Sequence, residues 1–120
     1  GVQTCALPIY WRYMMAGISR TRISVKPGKT QDLVDYMKSL TSRAEALNGM
    51  FGFGSAITGQ DEVTIFGIYE SVADAEAAVP IVQEAFADMA KYIAEPPSRD
   101  IFEGEWFPVR NKYIDYLDGK

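Results

Sequence analysis

The chemistry this chain could do rests on phenols, guanidinium groups and aromatic surface. Its 120 residues include no histidine, which removes Ser-His and Cys-His nucleophilic pairs, histidine metal sites and a histidine-ligated haem. Tyr69 and Tyr36 are the candidate catalytic groups, since a phenol held in a pocket can hold or move a proton. Tyr36 sits one residue before Met37 of an apolar helical stripe, so it could tip its hydroxyl into the space between sheet and helix. Tyr92 could do likewise from a later helix. A buried tyrosine needs a hydrogen-bond partner, and backbone can serve as one. Phe51, Phe53, Phe86, Met89 and Trp106 form an aromatic and sulfur-containing set suited to a flat apolar ligand. The same set would suit an ordinary core. Arg22 could anchor an anionic substrate or merely match charge at a sheet rim. No metal site is expected: Asp61-Glu62 and Asp115/Asp118 fall on turns or the tail without partner ligands.

Something must position these groups, and composition bounds what that is. A 13.4 kDa chain with 48% hydrophobic and 23% charged residues is ordinary globular material for one domain. At this length roughly 65% of the unfolded surface can be buried around a single core. No apolar run approaches the ~20 residues of a membrane helix. A formal net charge of −4 argues against general nucleic-acid binding.

Residues 1–9, Gly-Val-Gln-Thr-Cys-Ala-Leu-Pro-Ile, resemble one reading frame of a common DNA-sequencing adapter over their whole length. The alternative is a genuine short N-terminal strand. On the adapter reading 1–14 is not native sequence, the start is Met14 or Met15, and Cys5 carries no redox meaning. Trp11 could equally belong to a longer authentic N-terminus. The segment lacks the charged and apolar stretches of a signal peptide, and a cytoplasmic location is expected. The domain is expected over 15–108, with 109–120 as a tail.

From Ser19 to Lys26 polar and apolar residues alternate, with Thr21, Ile23 and Val25 on one face, as in a half-buried strand. Pro27-Gly28-Lys29 punctuates, and Thr30 is a candidate N-cap. Leu33, Met37, Leu40, Ala44 and Leu47 follow at helical spacing, ended by Asn48-Gly49. Met50 to Thr58 reads as a strand with Phe51, Phe53, Ser55 and Ile57 on one face and small residues on the other. A turn at Gly59 to Glu62 makes it a hairpin with Val63 to Glu70. Ser71 and Asp74 resemble a capping box. Pro80 forces the following helix to kink or restart. Val82, Ala85, Phe86, Met89 and Ile93 supply its apolar face, and Glu95-Pro96-Pro97 stops it. Arg99 to Phe107 is a fourth strand.

The order β-α-β-β-α-β is the ferredoxin-like, split βαβ arrangement of an α+β fold with an antiparallel four-stranded sheet. Right-handed crossovers place the first strand centrally, beside the third and fourth. Arg20 and Arg22 are expected to face Glu103 and Glu105 across that last pairing. Two helices cover one sheet face only, yet the third strand is apolar on both, with Val63 and Ile65 against Phe66 and Ile68. A symmetric partner pressed sheet to sheet would bury the second face, so a homodimer is expected.

Val25 to Lys29 closing the first strand, Ile68 to Ser71 ending the third, Ala73 to Ala77 opening the second helix and Glu103-Gly104-Glu105 in the last strand carry a resemblance. From Ile18 to Phe107 the chain resembles antibiotic biosynthesis monooxygenase-like domains of the dimeric α+β barrel superfamily. The resemblance implies a cofactor-free oxygenase of a small aromatic or quinol-type molecule, bound between sheet and helices. Such an enzyme must deprotonate an electron-rich substrate, orient it and exclude water while its anion passes an electron to O₂. Several members place an asparagine four residues before a tryptophan on the third strand. Here Tyr69 holds the aromatic position and Ile65 stands in place of the asparagine, which counts against that mechanism. The alternatives are a non-catalytic module that binds or senses a small hydrophobic molecule, and a dimerisation scaffold without a functional cavity.

Overall fold

A computed structural model describes residues 15–107 and 118–119. The expected adapter segment and almost all of the tail lie outside the described residues. Strand β1 spans Ala16–Ser24, helix α1 Thr30–Lys38, α2 Thr41–Glu45, β2 Met50–Gly59, β3 Glu62–Tyr69, α3 Val72–Ala77 and α4 Val79–Met89. A 3₁₀ turn, Ala90–Tyr92, leads to β4 at Ser98–Gly104. The sheet is antiparallel in the order β2-β3-β1-β4, so β1 is internal as the crossover rule requires.

Alternation in β1 sorts its two faces. Ile23 and Val25 are buried with Val63 of β3, and Leu33, Met37, Ala85 and Met89 close the core from the helices. Leu33 and Met37 lie four apart on α1, which is why one face of that short helix does all its packing. The Ser71 hydroxyl accepts from the Asp74 amide at 3.1 Å and caps α3. Pro80 occupies the first turn of α4, where its missing N–H costs nothing. Both punctuation marks act as expected. Gly49 takes φ +72° after α2, a conformation that side chains other than asparagine's resist.

Four local expectations are corrected. Thr30 is the first helical residue and caps nothing; Lys29 precedes it without a side-chain cap bond. The first helical stripe is split, because Ser39 and Leu40 bond back in tight three-residue turns between α1 and α2. A bulge at Phe51 breaks the parity of β2: Met50 pairs with Tyr69 and Gly52 with Ile68. Met50 therefore shares a face with Phe53, while Phe51 is 54% exposed. In the β1–β4 ladder Arg20 stands opposite Asp100 and Arg22 opposite Ser98, and Glu103 faces Gly17. Arg20 pairs with Asp100 at 3.1 Å and lies over the Phe102 ring. The reason is register: β4 ends at Gly104, so Glu105 has no rung, and the acid that matches Arg20 is Asp100, the third residue of β4.

The sheet face away from the helices carries Ile18, Phe66, Ile68 and Phe102. Phe66 is 42% and Phe102 46% exposed. Beyond β4, Trp106 packs on Phe51 with ring centroids 5.5 Å apart. Since β2 and β4 are opposite edges, that contact links the two borders of the sheet.

Candidate functional site

Between the covered face of the sheet and α2 and α4 lies a cavity of about 90 Å³. A single water needs roughly 10–15 Å³ of such space, so there is room for several waters or one compact aromatic molecule. Phe53, Ile65, Tyr69, Phe86 and Met89 supply its apolar wall, and Arg99 reaches it from β4. Ser19 and Thr21, both nearly fully buried, add hydroxyls from β1. A larger groove of about 570 Å³ follows the β2 edge past Val34, Met37 and Thr41, and Phe51 lines it. We take the smaller cavity as the candidate site because buried polar groups converge there, whereas the groove lies along an exposed edge.

Each polar group has a structural reason to be where it is. Tyr69 ends β3, 2% exposed, opposite Gly17 of β1 and Met50 of β2. Gly67, two residues earlier, leaves the floor open: a Cβ there would fall 2.6 Å from Ser19 Oγ. Arg99 follows Ser98 at the start of β4, opposite Thr21, and its guanidinium donates to Tyr69 Oη at 3.4 Å and to the Ala75 carbonyl at 3.2 Å. A phenol that accepts from a cation keeps its own hydrogen free for a bound molecule.

Of the residues singled out from sequence, Phe53, Tyr69, Phe86 and Met89 meet at this cavity. Tyr36, Phe51, Tyr92, Trp106 and Arg22 are placed elsewhere. Tyr36 donates to Asp88 at 3.1 Å and lies 6.3 Å from the Tyr92 ring, so both serve the packing of α1 against the end of α4. Arg22 is exposed on the open face. Arg99 is the residue that sequence reading passed over. Its signal was present: it shares parity with Ile101, which places it on the helix-covered face.

Arg43, at the cavity mouth, donates to Asp88 at 2.7 Å. That bond, followed by the one from Tyr36, holds the Asp88 carboxyl below its ordinary value. Burial, then the Asp88 bond, pushes the Tyr36 phenol up. A lowered carboxyl pKa gives stability that is present above the ordinary carboxylate pKa and lost as pH falls through the lowered value. Asp88→Asn should therefore lower the urea midpoint slightly near neutral pH, with the difference from wild type vanishing in acid. The pair is half-exposed, so the effect is small. A pH-independent difference would show that the carboxylate charge is not what couples these helices.

No family model matches the chain, and no curated protein matches it. Solved structures do. A Nitrosomonas europaea protein of unknown function superposes with TM-score 0.68 at 22% identity, over 81% of this chain and 98% of its own. A Bordetella bronchiseptica protein named "Putative antibiotic biosynthesis monooxygenase" gives 0.64 at 18% identity, over 77% and 99%. One of that same name from Nitrosomonas europaea gives 0.62 at 18%, over 74% and 89%. This is the antibiotic biosynthesis monooxygenase-like fold. Identities this low carry the fold and leave the chemistry to the site. In this chain the helix-covered cavity carries Arg99 and Tyr69 among its polar groups.

Proposed function

We propose that the chain is a homodimeric, cofactor-independent oxygenase-like enzyme acting on a small aromatic or quinol-type molecule in the cytoplasm. The observation that carries this reading is the buried Tyr69 hydroxyl in a cavity walled by Phe53, Phe86 and Met89. Catalysis there would need the substrate's acidic hydrogen to leave and its anion to be shielded from water while it passes an electron to O₂. Tyr69 holds or relays the proton, and the apolar wall orients the ring and excludes water. A partner chain covers the open face, where Phe66 and Phe102 would otherwise stay in water.

A second reading, a dimer that binds or senses a small hydrophobic molecule without turnover, is favoured by Ile65. It lines the cavity, and the resemblance drawn from the sequence sets it where several oxygenase members carry an asparagine. Oxygen uptake with quinols and anthrones separates the two. Enzyme-dependent uptake is expected, and Tyr69→Phe should slow it tenfold or more, the loss of one hydrogen bond to a charged group. Turnover unchanged in Tyr69→Phe would remove the phenol from the mechanism. Binding without uptake would establish the second reading.

A further inference from the structure

The cavity holds a positive charge that no carboxylate among the described residues neutralises. Among the described residues Arg20, Arg43, Lys29 and Lys38 each meet an aspartate. Arg22, Lys26, Lys91 and Arg99 meet none, and of these four Arg99 alone lines the cavity; its two partners, the Tyr69 phenol and the Ala75 carbonyl, are neutral. Its bond to Tyr69, at 3.4 Å, lies beyond the usual 2.7–3.2 Å range and leaves donor capacity unspent. A guanidinium carries five N–H donors in a planar fork suited to an oxyanion. Arg99 is half-buried at the cavity wall, where a cation interacts with an oxyanion more strongly than it would in open solvent.

We propose that Arg99 makes this cavity a site for a compact aromatic molecule bearing one acidic oxygen, carboxylate or ionised phenol. The inference rests on the reading of the cavity as a ligand site and narrows it to anions. The guanidinium takes the oxyanion at the β4 side, the Tyr69 hydroxyl donates to the same oxygen, and the ring lies along Phe53, Phe86 and Met89. Ser19 and Thr21 offer further donors on the floor. Gly67 keeps that floor open, since any side chain there would displace the Ser19 hydroxyl or the Tyr69 ring.

The test is calorimetric titration of the full chain with three probes of like shape: benzoate, 4-nitrophenol above its pKa, and neutral nitrobenzene. At least one anion should bind tenfold or more tightly than nitrobenzene, the usual scale of a charge-assisted hydrogen bond. Which anion is preferred separates a carboxylate site from a phenolate site. Arg99→Met should remove the preference and leave nitrobenzene binding within about twofold, while Arg99→Lys should retain part of it. Equal binding of all three probes to the wild-type chain overturns the anion inference and leaves the cavity a ligand site. An anion preference that survives in folded Arg99→Met overturns it as well. Binding of none of the probes overturns both this inference and the reading on which it rests.

Discussion

Phe66→Lys should keep the chain monomeric at concentrations where the proposed wild-type dimer forms. Phe66 stands in the middle of β3 with 42% of its surface open, on the face that none of the described helices covers. Sheet-to-sheet packing would remove that remaining surface from water in both copies, at about 0.6–1.3 kcal/mol for each phenylalanine. A lysine there must instead lose its hydration or keep the sheets apart, and burying an unpaired ammonium costs several kcal/mol more. Together these raise the dimer dissociation constant by at least about a thousandfold. The folded monomer should tolerate the change. Its cost is mainly like-charge contact with Arg20, directly opposite on β1, on the order of 0.2–1 kcal/mol. Native mass spectrometry and a urea melt check the two halves of this expectation. A wild-type chain that is already monomeric would remove the dimer from the proposed function. A Phe66→Lys chain that stays dimeric would move the interface to another surface.

Gly17→Ala should be among the most damaging small substitutions. A Cβ at this β1 position would lie 2.4 Å from the Ser71 carbonyl oxygen and 2.8 Å from the Val72 nitrogen. These are backbone atoms at the capped start of α3, so no side chain can swing away. Either α3 shifts off the sheet or β1 bends, and both disturb the cluster of Tyr69, Ala75 and Ala78. Overpacking of this kind costs about 2–3 kcal/mol, lowering Tm by roughly 8–12 °C for a domain of this size. Gly52→Ala is the matched control. Nothing lies within 4 Å of a Cβ there, and the change should be neutral or mildly stabilising. Equal stability of Gly17→Ala and Gly52→Ala would mean that α3 is not seated on β1 as described.

Element order, the internal place of β1, the restart at Pro80 and the cap at Ser71 were all legible in the sequence. The elements, the restart and the cap depend on residues close together in the chain: a period of two or 3.6, a missing N–H, a hydroxyl three positions before an amide; the place of β1 then follows from the handedness of crossovers. Cross-strand register was not. Whether Arg20 meets Asp100 or Glu103 depends on where β4 begins against β1, nearly eighty positions away, and a slip of a few rungs leaves the local pattern almost intact. The bulge at Phe51 escaped for a related reason. Its one extra residue moves Phe51 out of the set and brings Met50 in, and nothing in Met-Phe-Gly-Phe-Gly announces which residue will be skipped. For the site, the aromatic wall could be read from sequence spacing. The gathering of Tyr69 and Arg99 could not, because it joins the end of β3 to the start of β4 across β1.

The stack of Trp106 on Phe51 has an optical consequence. Trp106 is one of two tryptophans, and its ring touches one border of the sheet while its backbone leaves the other. In a chain whose Trp11 is replaced by phenylalanine, a single chromophore would report on both borders at once. Fraying at either edge would separate the rings and change the emission, whereas loosening confined to the helices would not. Intrinsic fluorescence set against far-ultraviolet dichroism would then tell opening of the sheet from melting of its helical cover.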